Sequence, residues 1–215
     1  MPIPGRGLPV SLVLTGRPCL VVGGGSVALR KAASLLEAGG VLTMVAPHFD
    51  EGAAGLDVRL ERRPYERGEA ARYHLVVTAT GVPSVDGAVF EDAERAGVLI
   101  NAADDPEHCT FILPAVHRIG PVSVAVSTDG HSPALAGWLR DQLALQLDAD
   151  LGELAARLAS LRGQLAAKGA PTSGRDWRAL IEELHGASDP EEVAGRWLAA
   201  QLAPLTRRRG ENGGE

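Results

Sequence analysis

The stretch Cys19-Leu20-Val21-Val22-Gly23-Gly24-Gly25-Ser26-Val27-Ala28 constrains this chain more than any other. An apolar run that ends in Gly-x-Gly-x-x-Ala and passes directly into helical spacing reads as the first strand, turn and helix of a Rossmann unit. Gly23 makes the tight turn, Gly25 lets a pyrophosphate approach the backbone, and the small Ala28 lets helix pack on strand. Free N–H groups and the dipole at the helix N-terminus favour the anion. A Gly-rich turn without a ligand has the same local pattern. The strand before it, the helix after it and a second strand at the right distance favour a nicotinamide dinucleotide on Gly23, Gly24, Gly25, Ser26 and Val27.

The pattern predicts strands at 18–22, 41–46, 56–60, 74–79 and 98–100, with helices at 26–38 and 84–96. Alternating strands and helices imply an α/β Rossmann-type parallel sheet domain. On helix 26–38, Val27 and Leu35 face inward while Arg30, Lys31 and Glu37 reach water. Apolar runs at 110–117 and 121–127 are expected to pair as a hairpin. Ser132-Pro133 then opens a helix to about 148, with Ser132 as N-cap. Residues 151–168 and 176–203 read as helical, joined by Gly169 to Gly174. The expected organisation is 1–113 for the dinucleotide domain, 114–149 for a hairpin and helix, 150–205 for a small helical domain, and 206–215 for a disordered tail.

A net charge of -6 argues against a general nucleic-acid binder, which needs a basic surface. The N-terminus lacks a signal-peptide core and no apolar run reaches membrane-span length, so a soluble cytoplasmic protein is expected. Cys19 and Cys109 fit neither a disulfide framework nor a zinc motif, and the six histidines form no spaced ligand pair, so no metal site is expected.

The second strand ends in Val45-Ala46-Pro47-His48, with no acid for a ribose and no Arg for a 2′-phosphate. Backbone around Ala46 and Pro47 is the candidate for that role. Thr78-Ala79-Thr80, small residues after the fourth strand, would let the nicotinamide half pass. Asp104, just past the fifth strand, is the candidate acid/base, though Asp105-Pro106 reads equally well as a turn initiator. The loop Ser127-Thr128-Asp129-Gly130-His131-Ser132-Pro133 offers hydroxyls, N–H groups and a helix dipole to an anionic substrate, with Arg118 before it and Arg140 two turns along the helix. Helix capping alone explains the same loop.

The order of these motifs, with Leu12 to Arg17, Thr110-Phe111-Ile112-Leu113-Pro114-Ala115 and Val124 to Ala136, resembles the siroheme-synthase N-terminal family over about residues 8–147. That family comprises precorrin-2 dehydrogenases and their ferrochelatase relatives. The resemblance implies oxidation of precorrin-2, a polycarboxylated tetrapyrrole, to sirohydrochlorin with NAD as hydride acceptor. Bifunctional members also take ferrous iron as a substrate. Asp104 matches the family's catalytic aspartate. Ser26, Val27, Ala46 and Pro47 match its NAD contacts, and Ser127, Thr128, His131 and Ser132 match the substrate side. The hairpin and following helix match a dimerisation region, which implies a homodimer.

This chain departs from the family in reading Ala79-Thr80-Gly81-Val82 where Ala-Thr-Asp-Asp is common, with Asp86 in place of a later Asn. Thr128 stands where some members carry a phosphorylated serine. Asp129 adds a negative charge that a protonated His131 would offset. The competing reading is a non-catalytic NAD(H)-sensing module, which needs neither Asp104 nor the 127–133 loop.

Overall fold

A computed structural model gives the fold, describing residues 7–211 and side chains through residue 203. Five strands form one parallel sheet: β1 (Pro18–Val22), β2 (Val41–Val45), β3 (Arg59–Glu61), β4 (Leu75–Thr78) and β5 (Leu99–Ala102), in the order β3-β2-β1-β4-β5. The strands are nearly continuous apolar runs because both faces are covered. Helix α1 (Ser26–Glu37) covers one face through Ala28, Ala32 and Leu35 on Val21, Met44, Leu75 and Val77. Helix α2 (Pro83–Ala96) covers the other through Val89 and Ala93 on Leu20, Val22, Val76 and Ile100. This is the expected α/β sheet domain.

The order reverses between β1 and β4, which makes their carboxyl ends a topological switch point. The register is level there: Val22 pairs with Val45 on one side and Thr78 on the other, and Thr78 pairs with Ala102. The loops after β1, β2, β4 and β5 therefore start at the same edge.

Several boundaries differ from the expected ones. The third strand is only Arg59–Glu61, because the Val58 N–H turns locally onto the Leu56 carbonyl. The fifth strand runs on through Asn101 and Ala102, which were expected to lie past it. Asn101 is tolerated in the interior because its amide donates to the Phe111 carbonyl at 3.0 Å. The 110–117 run divides. Thr110 returns alongside β5, its N–H on the Ile100 carbonyl at 2.8 Å, and strand β6 begins only at Ala115, after Pro114.

The chain forms two compact units, one reaching Ala115 and including Ser127–Ala136, the other made of Val116–Val126 and the chain from Gly137 onward. In the second, β6 (Ala115–Ile119) and β7 (Val122–Val126) form a two-stranded sheet. Helix α3 (Pro133–Ala144) ends earlier than the expected 148. Helix α4 (Leu151–Ala167) packs through Leu161 on Leu180 and Leu184 of α5 (Trp177–His185) and Val193 of α6 (Pro190–Glu211). The single helix expected over 176–203 is thus two. Asp189 caps α6 by accepting from the Glu191 and Glu192 N–H groups, with Pro190 at its first position. Helix α6 also continues past Thr206 into the expected tail, and residues 212–215 lie outside the described residues.

Candidate active site

The turn after β1 is held by packing on both sides. The Gly23 N–H donates to the Val45 carbonyl, and the Ala79 N–H donates to the Val22 carbonyl. Gly23 sits at φ 130°, and a Cβ there would stand 2.4 Å from the Ala79 carbonyl oxygen. A Cβ on Gly24 would stand 2.0 Å from the His48 carbonyl oxygen. Neither position has room for a side chain. Gly25 differs: its φ is -84° and a Cβ would meet nothing within 4 Å. The chain packs around the first two glycines and leaves the third open.

Gly25 is the N-cap of α1, and no side chain caps that end. Ser26 is exposed and Val27 half-buried above it. The first-turn N–H groups are therefore aimed at open space, which fits a pyrophosphate. Along β2, the Ala46 N–H is already spent on the Glu61 carbonyl at 3.2 Å, and Pro47 has none. A ribose at that corner would be met by carbonyl groups. The Thr78 and Thr80 hydroxyls both donate to the Asp86 carboxylate, the latter at 2.8 Å. Asp86, where the family carries Asn, thus fixes the β4 loop, while Ala79 packs against the core beside α1.

Asp104 is exposed at the same edge, in the left-handed region at φ 61°. Aspartate is among the few residues that adopt it readily. Among the described residues its carboxylate makes no hydrogen bond or ion pair. The surrounding loop is tied down instead. The Ala103 N–H donates to the Thr78 carbonyl at 2.8 Å. The half-buried Cys109 Sγ accepts from the Ala102 N–H at 3.2 Å and from Asn101 Nδ2 at 3.4 Å, and its thiol lies 3.2 Å from the Asp105 carbonyl. Burial pushes this thiol above its usual range. His108 pairs with Asp105 at 2.5 Å. The sequence reading assigned no role to Asn101 or Cys109. Its only available signal was a polar residue closing an apolar strand, eight positions before a cysteine.

The 127–133 loop is organised by its own hydrogen bonds. Thr128 Oγ1 accepts from the Ser132 N–H and donates to the Ser132 carbonyl, both at 3.0 Å. Ser132 Oγ accepts from the Leu135 N–H at 3.1 Å, the expected N-cap. Ser127 Oγ accepts from the Asp129 N–H, and His131 Nδ1 lies 2.8 Å from the Thr128 carbonyl. Asp129 and Gly130 both have positive φ. Arg118 and Arg140 fall in the second unit. Arg118 is exposed on β6, and Arg140 is committed to Asp141 Oδ1 at 2.6 Å. No group of three or more His, Cys, Asp or Glu suited to a metal ion occurs among the described residues.

A parallel sheet with its switch point at an uncapped glycine turn defines a dinucleotide-binding protein of the Rossmann class. Residues 10–115 accordingly match a family described as putative NAD(P)-binding. Residues 120–145 match the sirohaem biosynthesis protein central family. Siroheme synthase from Acinetobacter baylyi is 33% identical, covering 94% of this chain and 47% of its own length. That from Nitrosococcus oceani is 40% identical, covering 95% and 46%. The solved structure of SirC, precorrin-2 dehydrogenase, superposes with a TM-score of 0.68 at 26% identity, covering 92% of this chain and 100% of that one. The chain belongs to the siroheme synthase N-terminal family, and it spans about half the length of the curated relatives it matches.

Proposed function

We propose that this chain oxidises precorrin-2 to sirohydrochlorin, with NAD as the hydride acceptor. The observation that carries the reading is the level edge. The glycine turn after Val22, the Thr78–Thr80 loop and Asp104 all leave the sheet at one height, at its switch point. The names of the siroheme synthase relatives and the precorrin-2 dehydrogenase neighbour support it.

NAD, when bound, supplies a two-electron acceptor. Gly25, Ser26 and Val27 would hold its pyrophosphate at the α1 N-terminus, Ala46 and Pro47 would border the ribose, and Thr78, Ala79 and Thr80 would border the nicotinamide. The substrate loses two hydrogens: one leaves a carbon with its electron pair as hydride to the acceptor, the other leaves as a proton, and the conjugated system of the macrocycle gains one double bond. Asp104's exposed carboxylate takes that proton. Ser127, Thr128, His131 and Ser132 form the loop that borders the substrate carboxylates, and the exposed His131 ring is its donor to them. Some members of the family insert ferrous iron, and the same carboxylate suits the proton removal that chelation requires.

A homodimer is supported by apolar side chains left open on and just after α3: Leu135, Leu143, Leu145 and Trp138, the last 58% exposed. No helix among the described residues is long and apolar enough to cross a membrane.

The test is anaerobic incubation with precorrin-2 and NAD, then with sirohydrochlorin and ferrous iron. The wild type should form NADH and Asp104→Asn should not. Tight NAD binding with no NADH from the wild type would instead establish the sensor reading. NADH without iron insertion would leave a dehydrogenase alone.

A further inference from the structure

We propose that Arg62 receives the 2′-phosphate of a phosphorylated dinucleotide, so that this chain accepts NADP as well as NAD. The inference rests on the reading of the glycine turn as the dinucleotide seat.

The stretch from β3 to β4 carries five arginines, and four of them hold carboxylates. Arg59 pairs with Glu61 at 2.9 Å, Arg63 with Glu69 at 2.7 Å, Arg67 with Asp92 at 3.0 Å and Arg72 with Glu69 at 3.3 Å. Among the described residues Arg62 makes no hydrogen bond or ion pair. It is exposed, and its guanidinium lies over the Phe49 ring, with Cζ 5.5 Å from the ring centroid. Phe49 is half-buried and packs against the core beneath α1, so the ring gives the guanidinium a fixed rest. A cation steadied in this way, with its fork of donors open, suits a phosphate.

Backbone contacts set Arg62 beside the cofactor edge. Val45 pairs with Glu61, and the Ala46 N–H donates to the Glu61 carbonyl at 3.2 Å, so Arg62 leaves β3 level with Ala46. The Asp50 N–H donates to the Gly24 carbonyl at 2.9 Å, which ties the loop bearing Phe49 to the glycine turn. Neighbouring strands lie about 4.8 Å apart, so the end of β3 stands about 10 Å from the end of β1. The adenosine half of a dinucleotide seated on α1 reaches that far. The end of β2, Val45-Ala46-Pro47-His48, has no acid to repel a 2′-phosphate. It has no Arg either, but the sheet brings one from the neighbouring strand. The carbonyls at this corner suit the ribose 3′-hydroxyl, and the 2′-phosphate turns to Arg62. Asp50, on the same loop as Phe49, is exposed and makes no ion pair with Arg62.

Calorimetric titrations with NAD and with NADP test this on wild type, Arg62→Met and Arg62→Lys, each checked for wild-type melting. Methionine keeps an apolar stem on Phe49 and removes the charge. Wild type should bind NADP within about tenfold of NAD. Arg62→Met should weaken NADP about tenfold or more and leave NAD within about twofold, and Arg62→Lys should recover part of the loss. Added salt should weaken NADP more than NAD in the wild type, and that difference should shrink in Arg62→Met. Three results would overturn the role: NADP bound more than about a hundredfold more weakly than NAD by the wild type, unchanged NADP affinity in Arg62→Met, or equal loss of both dinucleotides, which would set Arg62 against the adenine instead. Failure to bind either dinucleotide would overturn the seat and this inference together. Absence of NADH from precorrin-2 would sink the dehydrogenase reading alone, and the titrations would still judge Arg62.

Discussion

The glycine turn and the Asp104 loop leave the same edge of the sheet, but different forces hold them. The turn is fixed by tertiary packing: Gly23 lies under the Ala79 carbonyl and Gly24 under the His48 carbonyl. The Asp104 loop is fixed by hydrogen bonds to the Cys109 thiol and the Thr78 carbonyl, while Asp104 itself projects into solvent. Stability and ligand binding are therefore coupled in the turn and separable at the aspartate. A packed cradle gives a rigid cofactor seat, and an exposed carboxylate is free to meet a substrate proton.

The largest expected effect separates the two most clearly. Asp104→Asn should reduce kcat for precorrin-2 oxidation by about 10²–10⁴, the usual worth of a general base. Asn accepts the left-handed backbone as readily as Asp, so melting should be unchanged. A variant that melts early would show that Asp104 is bound into the structure and would break the contrast.

Gly23→Ala comes next and should couple what Asp104→Asn separates. A Cβ 2.4 Å from a backbone oxygen, on a residue at φ 130°, forces the β1 and β4 ends apart. The expected cost is about 2–4 kcal/mol of stability, with loss of NAD binding. Gly25→Ala is the control at the open position. It should melt within about 0.5 kcal/mol of wild type yet bind NAD about tenfold more weakly, since only the ligand meets the new methyl. Urea midpoints and NAD titrations of the two variants decide the matter.

A third prediction extends the packed side to the network between α2 and the 61–72 segment. Burial alone would raise the Glu69 carboxyl, but hydrogen bonds from Arg63 and the Glu66 N–H, with the charges of Arg63 and Arg72, leave it below its usual range. For Asp92 the same penalty is outweighed by the Gly68 N–H, Tyr65 and Arg67. Both pKa values are depressed by folding, so their stabilisation is present above the unfolded carboxylate values, near pH 4, and is lost as pH falls through the lower folded ones. Urea midpoints should fall as the pH drops below about 4, with the drop smaller in Asp92→Asn. That variant should also lose about 1–3 kcal/mol at neutral pH, because its amide offers one acceptor oxygen where the carboxylate offers two, one to Gly68 and Tyr65 and the other to Arg67 and Arg95.

The two regions also differed in how far sequence disclosed them. The turn was legible because each requirement falls on a residue type, glycine or alanine, at a fixed spacing from a strand. Strand β5 was read two residues short because Asn101 looks like a turn former, and only the later Cys109 and Phe111 give its amide a partner. The break between α5 and α6 was present in Ser188-Asp189-Pro190, an N-cap followed by proline, but helical composition on both sides concealed it. Asp104 was visible as a carboxylate after a strand.

The smallest effect is expected at Thr128, where a purely local hydrogen-bond system can be removed without touching the sheet. Its hydroxyl accepts from the Ser132 N–H and donates to the Ser132 carbonyl, closing the turn before α3. Thr128→Val keeps the shape and deletes both bonds, at an expected cost of about 1 kcal/mol. Because the loop would then hold the His131 ring less firmly, KM for precorrin-2 should rise a few-fold, with NAD affinity and kcat unchanged. Initial rates over a range of precorrin-2 concentrations at saturating NAD read this directly. A fall in NAD affinity would mean that the loop reaches the cofactor seat, and the division between a packed cofactor side and a hydrogen-bonded substrate side would have to be redrawn.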